Sequence, residues 1–169
     1  MPIQHPSHIT VLTTGGTVDK IYSLEGELII GPPSVPELLG PVLSDINFTV
    51  QSVLKLDSLD MTDRDRAVLA SALEAVETQH VMITHGTDTM PETARYLQAN
   101  KKAQGKVVVL TGAMQPASMR ASDASFNLGS AVTALGLLEP GIYIAMSGRI
   151  FPATTVLKDK ARGIFTQGN

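Results

Sequence analysis

The 169-residue sequence contains no cysteine, which excludes a disulfide scaffold, a thiolate nucleophile, zinc–thiolate sites and iron–sulfur clusters. The same absence fits a reducing compartment. An excess of positive charge is also missing: 13 Lys and Arg stand against 16 Asp and Glu, for a formal charge of −3. Without a basic field the chain has nothing with which to hold a polyanion by counterion release, so neither nucleic acid nor an anionic membrane surface is an expected partner. No window approaches the ~18 apolar residues of a membrane span. The amino-terminal MPIQHPSHI has neither the basic nor the apolar region of a secretory leader. These absences set the expectation of a soluble, cytoplasmic protein. Charged residues reach only 17%, too few for a disordered tail, whereas 43% hydrophobic residues suffice for a buried core. At ~100–200 residues per domain, a single domain over 1–169 is expected.

Residues 9–13 (Ile-Thr-Val-Leu-Thr) are β-branched and apolar and run into Gly15-Gly16, the pattern of a buried strand ending at a tight turn. Gly26, Gly31, Pro32, Pro33 and Pro36 precede Gly40-Pro41, so this stretch reads as loop with at most a short hairpin or helix. Residues 17–41 are the expected mobile lid. Residues 48–54 form a second strand candidate leading to Asp57-Ser58-Leu59-Asp60. From Thr62, read as an N-cap, the period becomes 3.6: Leu69, Ala72, Leu73 and Val76 mark a helix whose first turn, Asp63 to Arg66, reads as solvated. Val81–Thr84 is a third strand, followed by His85-Gly86-Thr87-Asp88. Thr89-Met90-Pro91-Glu92 has the form of a capping box with proline in the first turn, predicting a helix to about Lys102. Val107–Leu110 is a fourth strand, ending in Thr111-Gly112-Ala113. Leu128, Ala131, Val132 and Leu135 form a third helical stripe, and Ile142–Ala145 a fifth strand. Strands that alternate with helices and read as continuous apolar runs predict an α/β fold, an open, mostly parallel sheet with helices on both faces. Ligands of such sheets bind beyond the carboxyl ends of the strands.

Those strand ends are rich in small hydroxyl residues: Thr13, Thr14 and Thr17, then Ser58, then Thr84, Thr87 and Thr89 beside Asp88, then Thr111. A threonine hydroxyl is a weak nucleophile that needs a neighbouring base or charge. Candidate activators are Lys158, Lys160, Tyr22, Asp88 and His85. Plainer readings stand beside these. Thr-Gly-Gly-Thr after a strand also suits a simple turn, and it is neither a Walker loop nor a dinucleotide fingerprint. His85 reads more readily as a strand-end hydrogen-bonding residue than as a base. His5 and His8, expected in a frayed terminus with no carboxylate nearby, do not suggest a metal site. Lys158 and Lys160, in a polar segment, read alone as ordinary surface lysines.

Two strings together change the weighting. Thr13-Thr14-Gly15-Gly16-Thr17, followed about 70 residues later by His85-Gly86-Thr87-Asp88-Thr89-Met90, resembles the two signatures of the bacterial-type L-asparaginase family. Asp57-Ser58-Leu59-Asp60-Met61 resembles the family's substrate-carboxylate segment. Thr111-Gly112-Ala113-Met114 with Phe126-Asn127-Leu128 is similar to its fourth-strand region, and Lys158 falls where its catalytic lysine is expected. The resemblance spans nearly the whole chain. It implies an L-asparagine amidohydrolase that releases L-aspartate and ammonia through a threonyl ester, with no metal and no organic cofactor.

By the same resemblance Thr14 is the nucleophile and Tyr22, on the lid, its proton partner. Thr87, Asp88 and Lys158 form a second triad in which Lys158 keeps the Thr87 hydroxyl basic and helps activate water. Asp88 also pairs with the substrate α-ammonium, Ser58 binds its α-carboxylate, and Ala113 joins the substrate-binding set. The amides around Gly86-Thr87, near a helix start, are the candidate oxyanion donors. The resemblance departs in three places. The usual family chain is about twice as long and lends a carboxylate across a dimer interface from its second domain. Leu59 stands where the family commonly has glutamine, and the loop from Thr14 to Tyr22 is short. A homodimer or dimer of dimers is therefore expected to close the site. The alternatives are a glutamine-directed amidase or amidotransferase subunit, and a non-catalytic amino-acid-binding domain.

Overall fold

The computed structural model describes residue 3 and residues 5–168, so the amino-terminal leader reading, which rests partly on Met1, Pro2 and Gln4, lies partly outside the described residues, as does Asn169. Chain order begins with β1 (His8–Gly15), a 3-10 turn over Thr17–Asp19, β2 (Lys20–Tyr22), β3 (Leu28–Ile30) and α1 (Val35–Leu39). It continues through β4 (Asn47–Leu56), a 3-10 turn over Ser58–Asp60, α2 (Asp63–Ala75), β5 (His80–Thr84), α3 (Met90–Asn100), β6 (Val107–Thr111) and α4 (Ala124–Leu135). It ends in β7 (Gly141–Met146), β8 (Arg149–Pro152), β9 (Val156–Asp159) and β10 (Ile164–Gln167).

The apolar runs have no polar face to offer water, and they pair inside one six-stranded sheet of order β4-β1-β5-β6-β7-β8. Every pairing is parallel except the last, where β8 runs back along β7. Alternate residues feed opposite faces. Leu12, Val81, Ile83, Val108 and Leu110 pack with Leu69 and Leu73 of α2 and with Met90, Ala94 and Leu97 of α3. Ile9, Val11, Met82, Val107 and Val109 pack with Leu128, Ala131 and Leu135 of α4 and with Val35 of α1. Helices thus cover both faces, as the continuous runs predict. Burying one such Leu or Ile side chain is worth roughly 1.5–3 kcal/mol. The strand order reverses at β1, which lies between β4 and β5, so the ligand-binding crevice expected of this topology opens at the carboxyl end of β1.

Three local expectations are corrected. Thr89 makes no side-chain cap on α3, because its hydroxyl donates to the Ser58 carbonyl at 2.7 Å. At the start of α2 the Asp65 carboxylate accepts from Thr62 N at 2.8 Å and from its hydroxyl at 2.7 Å, so the contact runs one way. Arg66 is buried rather than solvated: its Nε donates to Thr93 Oγ1 at 2.9 Å and its Nη1 to Asp63 at 3.0 Å, tying α2 to α3. His8 opens β1 instead of fraying, with its ring 2.7 Å from Thr49 Oγ1. The largest unanticipated feature is the β9–β10 hairpin, which turns the supposed polar tail into a strand pair held by buried Val156 and Phe165.

Candidate active site

The carboxyl ends of β1, β4, β5 and β6 bring Thr14, Ser58, Thr84–Asp88 and Thr111–Ala113 to one edge of the sheet. Backbone proximity at this edge depends on glycine. Gly16 has φ +81°, a conformation that side chains rarely adopt, and a Cβ there would collide with the Gly86 backbone. A Cβ on Gly86 would lie 2.6 Å from Ser58 Oγ. The two resembled strings, distant in sequence, therefore touch through main chain that tolerates no added methyl group.

Thr14 is fully buried, and its hydroxyl donates to the Thr84 carbonyl at 2.8 Å. Thr13 and Thr84 face each other in register, both buried, and their hydroxyls find no partner among the described residues. Ser58 is buried in its 3-10 turn, with the Thr89 amide 3.4 Å from its Oγ. Asp57 accepts from Leu59 N at 3.0 Å and so caps that turn. Its other oxygen meets Lys20 Nζ at 2.9 Å. This ion pair had no local signal, because Lys20 and Asp57 belong to distant segments that only the β1–β4 pairing brings together.

Lys158, on β9, has a side chain only 6% exposed. Its Nζ donates to Thr87 Oγ1 at 2.9 Å and to Asp88 Oδ1 at 2.7 Å. A buried ammonium without a partner is costly, and here the carboxylate balances it while the threonine oxygen takes a second N–H. An ammonium donating to a hydroxyl oxygen stabilises negative charge developing on that oxygen. Lys160 is exposed in the adjoining turn and has no such contact among the described residues.

His85 is fully buried, with Nδ1 2.7 Å from the Gly86 carbonyl oxygen and Nε2 3.2 Å from Met61 Sδ. Burial pushes its pKa down to about 4, and the nearby Arg66 guanidinium acts in the same direction against the opposing Gly86 bond. The ring is thus a neutral donor that fixes the Gly86 peptide, in line with its reading as a strand-end hydrogen-bonding residue. Ala113 is buried against Val18 and Ala124, which leaves only its main chain for a ligand. Tyr22 is not brought to the cluster. It is 70% exposed on β2 of a two-stranded hairpin, with no side-chain hydrogen bond among the described residues. Among the described residues, no group of three acidic or histidine side chains is placed to hold a metal ion. No helix among them is long and apolar enough to cross a membrane.

The chain resembles known proteins over almost its full length. Residues 8–166 match the family model described as Asparaginase, N-terminal. It is 34% identical over 169 residues to a probable periplasmic L-asparaginase of Haemophilus influenzae and 32% identical over 169 residues to L-asparaginase 2 of Escherichia coli. Each comparison covers 94% of this chain and 48% of the relative. The thermostable L-asparaginase from Thermococcus kodakarensis superposes with a TM-score of 0.82 at 29% identity, covering 95% of this chain and 51% of that one. L-asparaginase I from Vibrio cholerae gives a TM-score of 0.84 at 25% identity, covering 97% and 52%. The chain spans about half the length of the curated relatives it matches. With the family match, the sheet order and the two glycine-bound strings in agreement, the chain belongs to the asparaginase family, in the region its N-terminal model describes.

Proposed function

We propose that this chain is an L-asparagine amidohydrolase acting through a threonyl ester. The observation that carries the reading is the Lys158 ammonium, nearly buried and bonded at once to Thr87 Oγ1 and Asp88 Oδ1. In the first half-reaction the Thr14 oxygen attacks the side-chain carboxamide carbon, the carbon–nitrogen bond breaks, and ammonia departs carrying the threonyl proton. Tyr22 serves as the proton partner once the β2–β3 hairpin, the moving part of the lid, folds over the crevice. In the second half-reaction water attacks the β-aspartyl ester, polarised by the Thr87–Lys158 pair, and its proton restores the Thr14 hydroxyl. Asp88, whose side chain is 40% exposed, is free to meet an α-ammonium with its second oxygen while Oδ1 stays with Lys158. The Gly86–Thr87 peptide, its carbonyl held by His85, directs the Thr87 N–H away from that buried ring, because carbonyl and amide point in opposite directions across a trans peptide. This orientation supports its role as an oxyanion donor.

Relatives supply a second reading. The chain is 30% identical over 172 residues to the glutaminase-asparaginase of Acinetobacter glutaminasificans, and 32% identical over 149 residues to a component of the glutamyl-tRNA(Gln) amidotransferase of Methanococcus vannielii. A glutamine-directed activity follows from those names and is separated by substrate choice. Ammonia release from L-asparagine and L-glutamine, by the chain and its Thr14→Ala variant, is the test. Asparagine turnover that vanishes in the variant is expected; preference for glutamine supports the second reading. A folded chain that binds L-asparagine without turnover overturns both and leaves an amino-acid-binding domain. We also infer a homodimer or dimer of dimers in the cytoplasm, the latter supported by the absence of cysteine. Sedimentation tests the assembly, and a fully active monomer refutes it.

A further inference from the structure

We propose that Lys20 supplies the positive charge that anchors the α-carboxylate of the amino-acid ligand, acting beside the Ser58 hydroxyl. This rests on the amino-acid reading of the site above and adds to it the residue that selects a free carboxylate.

A carboxylate leaving water needs a cation or several donors. Ser58 offers one hydroxyl, and the next side chain, Leu59, is an exposed aliphatic group with no donor. Lys158 is committed to Thr87 and Asp88. Asp57, Asp60 and Asp88 crowd the same end of the sheet with negative charge, a field that opposes an anion at Ser58. Lys20 offsets one of those negative charges. Its Nζ sits 2.9 Å from Asp57 Oδ2, on the residue immediately before Ser58, and Asp57 Oδ1 accepts from Leu59 N. One carboxylate thereby bridges the lysine to the Ser58 turn. The Leu59 amide, helped by Lys20, holds the Asp57 carboxyl below its ordinary range despite partial burial, so the bridge stays charged. An ammonium has three N–H donors, and among the described residues only Asp57 takes one.

The backbone around Lys20 is pinned independently of the hairpin tip. Lys20 O accepts from Ser118 Oγ at 2.7 Å, and Val18 O accepts from Ala117 N at 3.1 Å. The buried Asp19 carboxylate accepts from Ser34 N at 2.8 Å and Ser34 Oγ at 2.7 Å. The Lys20 backbone is therefore held by segments outside its own hairpin, which keeps its ammonium on Asp57, the residue before Ser58.

The test is calorimetric binding of L-aspartate and of its α-amide to the wild-type chain and to Lys20→Met, Lys20→Arg and Asp57→Asn variants. The two ligands differ only at the α-carboxylate. The wild type should prefer L-aspartate by about tenfold or more, the span of one charge-assisted contact. That preference should shrink at least to about twofold in Lys20→Met and persist in Lys20→Arg and Asp57→Asn. Equal weakening of both ligands in Lys20→Met and Asp57→Asn would mean that the ion pair is only a clasp, and would overturn the proposal. Failure of the wild type to bind or to discriminate overturns it as well. Wild-type turnover of L-asparagine is measured alongside. Turnover without Lys20-dependent discrimination removes this proposal and leaves the amidase; discrimination without turnover does the reverse.

Discussion

Acidification should destabilise this protein through His85, and the size of the effect follows from its burial. The native imidazole titrates at about 4 against an ordinary 6.5. At pH 7 it is mostly neutral in both states. At pH 5 the unfolded chain has taken up the proton and the native protein has not, so the stability present above pH 6.5 is lost as pH falls. Linkage puts the loss at about 2 kcal/mol between pH 7 and 5, and about 3 kcal/mol by pH 4. His85→Asn places an amide nitrogen near the position of Nδ1 and keeps a donor for the Gly86 carbonyl while removing the titration. Urea unfolding of both proteins at pH 7 and pH 5 isolates the effect. His80, lowered by burial, and Asp19, raised by burial, act in both proteins and cancel in the comparison. Asp57 and Asp65 are lowered, so their contributions fade only below the ordinary carboxylate value of 3.8. The wild type should lose about 2 kcal/mol more than the variant, a shift of about 1 M in urea midpoint. Equal losses would refute the assignment of proton uptake to His85.

Lys158→Met should cut asparagine turnover by about a hundredfold or more, as loss of an electrostatic donor at a reacting centre does, with the melting profile showing a folded chain. Retained turnover would move the role to Lys160 or another base. Asn127 donates to the Gly112 carbonyl at 2.9 Å and to Asp123 at 3.0 Å, and accepts from Ser147 N at 3.0 Å. Asn127→Leu orphans that buried set and should cost about 3 kcal/mol, seen as a drop of about 10 °C in Tm; a change under about 2 °C would contradict it.

The parallel core was legible because its strands carry no polar alternation, and a strand buried on both faces needs none. The two threonine–glycine strings were legible as chemistry only as a pair, since each alone also fits a turn. What escaped the sequence was decided by partners far along the chain. Thr89 abandons the local cap for the Ser58 carbonyl, 31 residues away. Arg66, polar by type, is drawn inward by Thr93 on the next helix. Lys158 looked like a surface residue because its four-residue strand is too short to show a pattern, and only Val156 and Phe165 on the hairpin reveal that it is held against the core. Tyr22 shows the converse: a role implied by resemblance, on a side chain left in solvent.

The placement of β1 between β4 and β5 has a consequence for synthesis. Strand β1 takes both neighbours from segments synthesised after it, the second of them ending at Thr84. At translation rates of about 5–20 residues per second, that apolar segment waits roughly 4–15 s for its last partner. During that interval Thr14 has no Thr84 carbonyl to receive its hydroxyl, and Gly16 no Gly86 to lie against. The crevice therefore assembles in an order set by the chain: the Thr14 and Gly16 contacts wait for β5, and the Lys158 contacts to Thr87 and Asp88 wait longer still, for β9.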